Sequence, residues 1–482
     1  MTPDPEPAGH RVADVDTVRS AMRYSTLEGL FASQYVSTTT TSMLVGFLLA
    51  LGASVTQVGI AAALPLLGGL FQPLGAELLR RRKGWRKGQC VGGVIIDDVL
   101  WLVSIVSVVF LPAPTAVIAV LCILALQQIP VHSSLLAWQS WISDLIPPRV
   151  RGRYFGRRNF VVNTFGAVMA IFAGQFVEHI GDNAVWSFLV VIMIGMTARG
   201  ISAYFLNKQP EPFPAVETPS HPVGRFKDPF RHGPFRKYLR FISRWEFSSQ
   251  IVAPFFIVYM LQDLDLGLGF VTLVAALATV ANLISQQFWG ELADRFGNRQ
   301  VLKTTCAVLV IEPLVWLFTG STGMGLYLVV AIHLLNGFAS GGFLLANANL
   351  MMGLAPRTGQ SSYFAVQASL KGVSAAAGPV VGGVLLDRIL GPIIPTGDLL
   401  SSFGILFVLG FILRSVGLFA LRRIPEQTLV PDLHISVLIS EFARSFSSTQ
   451  GFGLLLQSFT IEPHLDNETI EDALEDMARN QH

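Results

Sequence analysis

The residues best suited to chemistry are ionisable groups set inside apolar stretches. Asp97 and Asp98 lie in VIIDDVLWL (94–102), Glu312 in LVIEPLVWL (309–317), Arg199 in IGMTARGIS (194–202) and Arg414 in LGFILRSVG (409–417). In hydrocarbon such a charge costs several kcal/mol unless it is paired or wet, so each marks an ion pair, a proton relay or a solute contact. Further polar groups share this setting: Glu28, Gln34, Tyr35 and the threonine run 38–41; Gln127, Gln128 and His132; Arg244, Glu246 and Gln250; His333, Asn336, Asn347 and Asn349; and Lys371. Amides donate and accept, which suits hydroxyl-rich or zwitterionic solutes. They serve equally well as hydrogen bonds between helices. Glu246, His132 and His333 are of the type that can exchange a proton under suitable surroundings. Arg244 and Lys371 suit an anionic solute or neutralise Glu246. No nucleophile elbow, HExxH or Ser/His/acid set lies on these stretches.

Elements long enough to carry these groups through a bilayer are present. Of 482 residues, 51% are apolar and only 14% charged, too few charges to cover a soluble fold of this length. A net charge of +2 is too small for a surface that tracks nucleic-acid phosphates. Cys90, Cys122 and Cys306 give neither a disulfide framework nor zinc spacing, and no cofactor or metal is expected. No signal-peptide h-region precedes the first apolar run, which is therefore expected to be retained. Twelve runs of spanning length are predicted at 24–50, 55–79, 90–111, 115–146, 159–179, 184–207, 237–262, 268–293, 301–319, 324–355, 362–386 and 400–422. With the N-terminus cytoplasmic, the inner connections hold 22 lysines and arginines and the outer ones only Arg388. The positive-inside rule then puts both termini in the cytoplasm of a plasma-membrane protein. The expected units are a cytoplasmic segment 1–23, a six-helix bundle 24–207, a proline-rich linker 208–236, a second bundle 237–424 and an acidic tail 425–482.

The two bundles repeat each other. FASQYV (31–36) matches FSSQIV (247–252), and IDDVLWL (96–102) matches IEPLVWL (311–317). Pro147 with Tyr154-Phe155 matches Pro356 with Tyr363-Phe364. Gly195, Arg199, Pro210 and Glu211 match Gly410, Arg414, Pro425 and Glu426. The offsets lie between 209 and 216, in one order along the chain. Both copies start on the same side, so the repeats are parallel in the membrane, with a solute site expected between them near mid-depth.

GELADRFGNR (290–299) resembles the loop signature of the major facilitator superfamily, with Gly290, Leu292, Asp294, Arg295, Gly297 and Arg299 all fitting. The resemblance covers about residues 20–425. It implies an all-α membrane protein of twelve transmembrane helices in two parallel-repeat six-helix bundles. It also implies a secondary transporter, or permease, working by alternating access. In the family the signature acid caps a helix N-terminus across the domain interface. The first-half counterpart, ELLRRRKGWRK (77–87), carries Arg81 where that acid should stand. GPVVGG (378–383) matches the family's antiporter motif but lies on helix eleven, where small residues favour close packing. Helices one, four, seven and ten line the family's cavity, with two, five, eight and eleven contributing, which makes Gln34, Tyr35, Gln127, Gln128, His132, Glu246, Gln250, His333, Asn336 and Lys371 the cavity candidates. Helices three, six, nine and twelve lie on the flanks, away from it. Asp97–Arg199 and Glu312–Arg414 are accordingly expected as structural salt bridges, with Asp98 helping to pair Arg199.

The expected function is transport of a small solute, driven by protons, by a monomer in lipid. A non-transporting sensor or assembly factor on the same scaffold is the competing class, and an intramembrane enzyme a third.

Overall fold

The computed structural model describes residues 14–71, 85–180, 184–210, 227–356, 360–393 and 401–425, with isolated positions at 75, 77, 78, 469 and 472. The basic loop 79–84, most of the linker, Arg357 and nearly all of the tail lie outside these residues.

Among the described residues every regular element is helical. Nine spans are single long helices: three (Arg86–Phe110), four (Ala113–Leu145), five (Pro148–His179), six (Ala184–Lys208), eight (Leu268–Phe296), nine (Asn298–Val315, ending in a tighter turn Trp316–Phe318), ten (Gly323–Leu354), eleven (Gln360–Val384, widened at Leu385–Leu390) and twelve (Ser402–Leu421). The other three are interrupted. Helix one runs Val15–Thr39 and Thr41–Ala50, and helix seven runs Gly233–Gln250 and Ala253–Gln262. Helix two runs Val55–Ala63 and continues as a tight helix Pro65–Phe71.

Local chemistry sets the boundaries. The Asp14 carboxylate accepts from the Thr17 N–H at 2.9 Å and starts helix one ahead of the apolar run. Ser54 and Gln57 form a reciprocal capping box at helix two. Pro147 and Pro148 cannot extend helix four, and Pro148 suits the first turn of helix five. Gly297, at φ +79°, turns the chain between helices eight and nine within the loop signature. Apolar side chains such as Ile95, Ile96, Val99, Leu102 and Val106 point outward from helix three. Such a surface is stable against lipid and not against water.

Three apolar cores show how the halves meet. One contains side chains of both halves: Phe47, Leu48 and Phe188 from the first, with Phe255, Val271, Phe403 and Phe407 from the second. It sits at the end of the bundle away from the linker, here called the distal face. At the linker face each half has its own core, around Trp141 and Tyr154 in the first and around Trp245, Trp289 and Leu302 in the second. The halves are therefore fused at the distal end and separately packed at the linker end.

Helix eleven makes this fusion through small residues. A β-carbon at Gly59 of helix two would overlap the Pro379 carbonyl oxygen, and one at Gly383 would come within 2.9 Å of the Thr56 Cα. Gly378, on the other side, lies against the backbone of helix seven, where a β-carbon would be 2.7 Å from the Ile251 nitrogen. The GPVVGG stretch thus packs closely on both of its faces.

Candidate functional site

Helix one breaks where the cavities converge. The Thr39 and Thr40 hydroxyls donate back to the Tyr35 and Val36 carbonyls, and the Thr38 hydroxyl donates to the Gln34 and Tyr35 carbonyls. Threonine hydroxyls compete for helix carbonyls in this way and bend the helix. Thr40 then leaves the helix, and Thr41 takes φ +51°, a region in which a β-branched residue is strained. Strain of this kind persists only where the surroundings impose it. Among the described residues Thr41 borders three cavities between the helices, of about 510, 190 and 190 Å³.

The largest of these three is mainly first-half in origin. Tyr35, Asp97, Trp101, Gln127, Gln128 and His132 stand in its wall, and Gln250 approaches from helix seven. The rest of the wall is apolar, including Leu44, Leu48, Val58, Leu124 and Ile257. The second cavity repeats it in the other half, with Glu312, Trp316, His333, Asn336 and Arg414. Ala253 and Ile257 border both.

These positions correct the flank assignment. Asp97 on helix three, Glu312 on helix nine and Arg414 on helix twelve are cavity-wall residues. The residues at the break in helix one, Thr39 to Thr41, share the wall of the larger cavity with Asp97. The two acids are also held differently. Arg414 reaches Glu312 at 2.7 Å and the Leu309 carbonyl at 2.6 Å, while Asn336 donates to the other carboxylate oxygen at 2.8 Å. Asp97 makes no such bridge. The Tyr35 hydroxyl donates to it at 2.6 Å and receives the Trp101 indole N–H at 2.8 Å. Arg199 lies over the Tyr35 ring, 5.2 Å from its centre, and among the described residues joins no ion pair with Asp97 or Asp98. The physical reason is a substitution within the repeat: Tyr35 aligns with Ile251, so a phenol stands between acid and guanidinium in the first half only. Aspartate is also one methylene shorter than glutamate.

The other candidates divide. Glu246 is buried and meets Lys371 at 3.2 Å, and neither lies in the walls of the described cavities. The basic group therefore neutralises the acid. Gln34 lies in none of these walls either. Glu28 pairs with Arg158 at 3.2 Å and accepts from Ser202. Each half thus joins an acid on its first helix to a base on its fifth. Gln127 donates weakly to the Asp97 carbonyl at 3.5 Å, and Gln128 to the Leu124 carbonyl. Asn347 accepts from Tyr238, and Asn349 bonds Asn298. His132 wedges against Gly68 of helix two. His333 shares its Nδ1 with the Val329 carbonyl and meets the Trp316 ring edge-on. Arg244 is exposed. In the loop signature Arg299 donates to the Arg422 carbonyl, and Asp294 is exposed at the linker face.

Sequence reasoning missed two acids at the distal face. Glu178, at the end of helix five, accepts the Gly269 N–H at the start of helix eight, at 2.6 Å. Asp387, at the end of helix eleven, accepts the Thr56 N–H at the start of helix two, also at 2.6 Å. Each carboxylate caps a helix of the opposite half, where the helix dipole favours an anion. The two acids are 209 residues apart, the repeat offset of this region, and that offset was the signal available. Neutralising both with Glu178→Gln and Asp387→Asn removes about 0.3–1 kcal/mol per cap, up to about 2 in buried geometry. The expected result is faster reaction of a cysteine placed at Ala253 with an impermeant maleimide applied from the distal side.

Comparison with known proteins agrees with this architecture. Two successive matches to the Major Facilitator Superfamily family model cover residues 29–247 and 246–460. An MFS-type transporter of Talaromyces wortmannii, TwmF, is 29% identical over 131 residues, which are 27% of this chain and 23% of the relative. The chain thus spans under a quarter of that relative's length. A point mutant of the nucleoside transporter NupG superposes with a TM-score of 0.65 at 12% identity, covering 83% of this chain and 99% of its own. A bacterial homologue of the iron transporter ferroportin, in an inward-facing state, superposes with a TM-score of 0.63 at 13% identity over 85% of this chain and 98% of its own. With one family matched twice, across two halves that repeat each other's helices, this chain belongs to the major facilitator superfamily and is a multi-pass membrane protein.

Proposed function

We propose that the protein is a proton-coupled secondary active transporter that moves a small solute by rocking its two halves about the cavities near Thr41. The observation that carries this reading is the pattern of cores: one shared at the distal face, two separate at the linker face. The charge of the loops supports a cytoplasmic linker face, with the protein in the plasma membrane. The state described is then open inward, with the distal caps as its latches. The bundles 24–207 and 237–424 are the moving bodies, joined by the linker 208–236, and 425–482 is a tail. In the outward-open state Asp294 and its neighbours Gly290, Arg295, Gly297 and Arg299 take over as the linker-face latch. Tyr35, Gln127, Gln128, His132 and Gln250 contact solute in the larger cavity, and His333 and Asn336 in the smaller.

The test is solute uptake or efflux by proteoliposomes under an imposed pH gradient, screened over solute classes. Flux that follows the gradient supports the reading, and none under either polarity overturns it. The amides give a finer check. Gln250→Ala is expected to weaken transport several-fold at normal abundance, because it borders the cavity. Asn336→Ala is expected to lower abundance as well, since it strips Glu312 of a hydrogen bond in a buried setting, at about 1–3 kcal/mol.

A further inference from the structure

The two repeat-related acids are not equally satisfied. Both carboxylate oxygens of Glu312 are engaged, one by Arg414 and one by Asn336. Asp97 is 1% exposed, its Oδ2 takes the Tyr35 hydroxyl, and its buried Oδ1 has no hydrogen-bond partner among the described residues. It stands in the wall of the 510 Å³ cavity. A carboxylate in such a place needs a countercharge.

Among the described residues no surrounding group forms an ion pair with it. From helix six, Arg199 is held over the Tyr35 ring and lends Asp97 only a longer-range attraction. From helix one, Glu28 is taken by Arg158, and Tyr35 contributes only its hydroxyl. On helix three, Asp98 adds a second acid and Cys90 lies two turns away. Helix four offers the uncharged Gln127 and, deeper, His132 wedged against helix two. The chain from Trp101 through Tyr35 fixes which oxygen is used and which is left.

Resting on the transport reading above, we propose that Asp97 is the cation-receiving group of the larger cavity. Its ligand is a single positive charge, arriving as a proton or as the cationic centre of an apolar organic solute. Glu312, closed by Arg414, has no such role. The aromatic pair Tyr35 and Trp101 beside the acid, with an otherwise apolar wall, suits a cation with a hydrophobic body.

The wild-type protein in lipid nanodiscs allows the test without a variant. Dicyclohexylcarbodiimide modifies protonated carboxyl groups in apolar surroundings, and peptide fragmentation resolves Asp97 from Asp98. Tetraphenylphosphonium, which carries no exchangeable proton, probes the organic cation by calorimetry. Labelling of Asp97 that is lost at high pH assigns the proton. Phosphonium binding that is lost in Asp97→Asn and kept in the double variant Glu312→Gln with Arg414→Gln assigns the organic cation. Both results together give one site for both. An Asp97 that is never labelled, with phosphonium binding absent or untouched by Asp97→Asn, overturns the proposal, as does equal labelling of Glu312. Should Asp97→Asn fail to accumulate, protection of Asp97 from the carbodiimide by phosphonium decides the second arm in the wild type. Solute flux with an inert Asp97 defeats this inference alone. A labelled Asp97 with no flux under any gradient defeats the transport reading alone.

Discussion

Arg414→Leu is expected to remove most of the protein from the membrane. The guanidinium is 5% exposed and its partner carboxylate 8%, and it also closes the Leu309 carbonyl at the kink before Pro313. Breaking a buried pair by removing one member costs about 3–5 kcal/mol, because the other charge stays behind in low dielectric. Folded proteins are stable by only about 5–15 kcal/mol, so this loss registers as lost abundance. The double variant Glu312→Gln with Arg414→Gln leaves no unpaired charge and should recover much of it. Arg199→Leu is expected to be milder, since it forfeits a contact with the Tyr35 ring worth about 0.5–2 kcal/mol and no bridge. Membrane abundance measured by quantitative blotting or fluorescent fusion checks the order. Equal losses for Arg199→Leu and Arg414→Leu would show that the two halves hold their acids alike.

The second large effect is expected at Gly59. A leucine there cannot coexist with the Pro379 carbonyl, so helices two and eleven separate at the distal face. Overpacking costs about 1–3 kcal/mol in a core, but this contact lies between the halves, which can part to relieve it. Transport should fall to background while abundance stays near normal and the distal side becomes reactive to impermeant thiol reagents at an introduced cysteine. Gly337→Leu is the control. Its β-carbon meets the Ala278 backbone within the second half, where nothing can part, so abundance itself should drop.

Much of the scaffold was legible. Twelve apolar runs, a basic bias on one side and a repeat near 215 residues are properties of the linear sequence. The Glu312–Arg414 pair was legible too, because matched positions on neighbouring helices leave two opposite charges little else to do. The first-half pair was not, since no spacing rule tells that Tyr35 swings between Asp97 and Arg199 where Ile251 cannot. The cavity-facing position of Asp97 was hidden for a related reason: it lies beside the break in helix one, which a hydropathy run does not show. Four consecutive threonines carry a sign of that break, as their hydroxyls compete for helix carbonyls. The distal caps escaped notice because an acid at a helix end reads as an ordinary interfacial charge until its partner helix is known.

Double electron–electron resonance between spin labels at Ile180 and Gln262, exposed at the distal face on opposite halves, addresses the rocking motion itself. A second pair at Arg153 and Met352 reports the linker face. In lipid nanodiscs taken through pH, two distance populations are expected, the distal pair lengthening as the linker pair shortens, with Gly59→Leu marking the distal-open end. A single distance for each pair, unchanged by pH and unchanged by Gly59→Leu, would contradict alternating access in this protein.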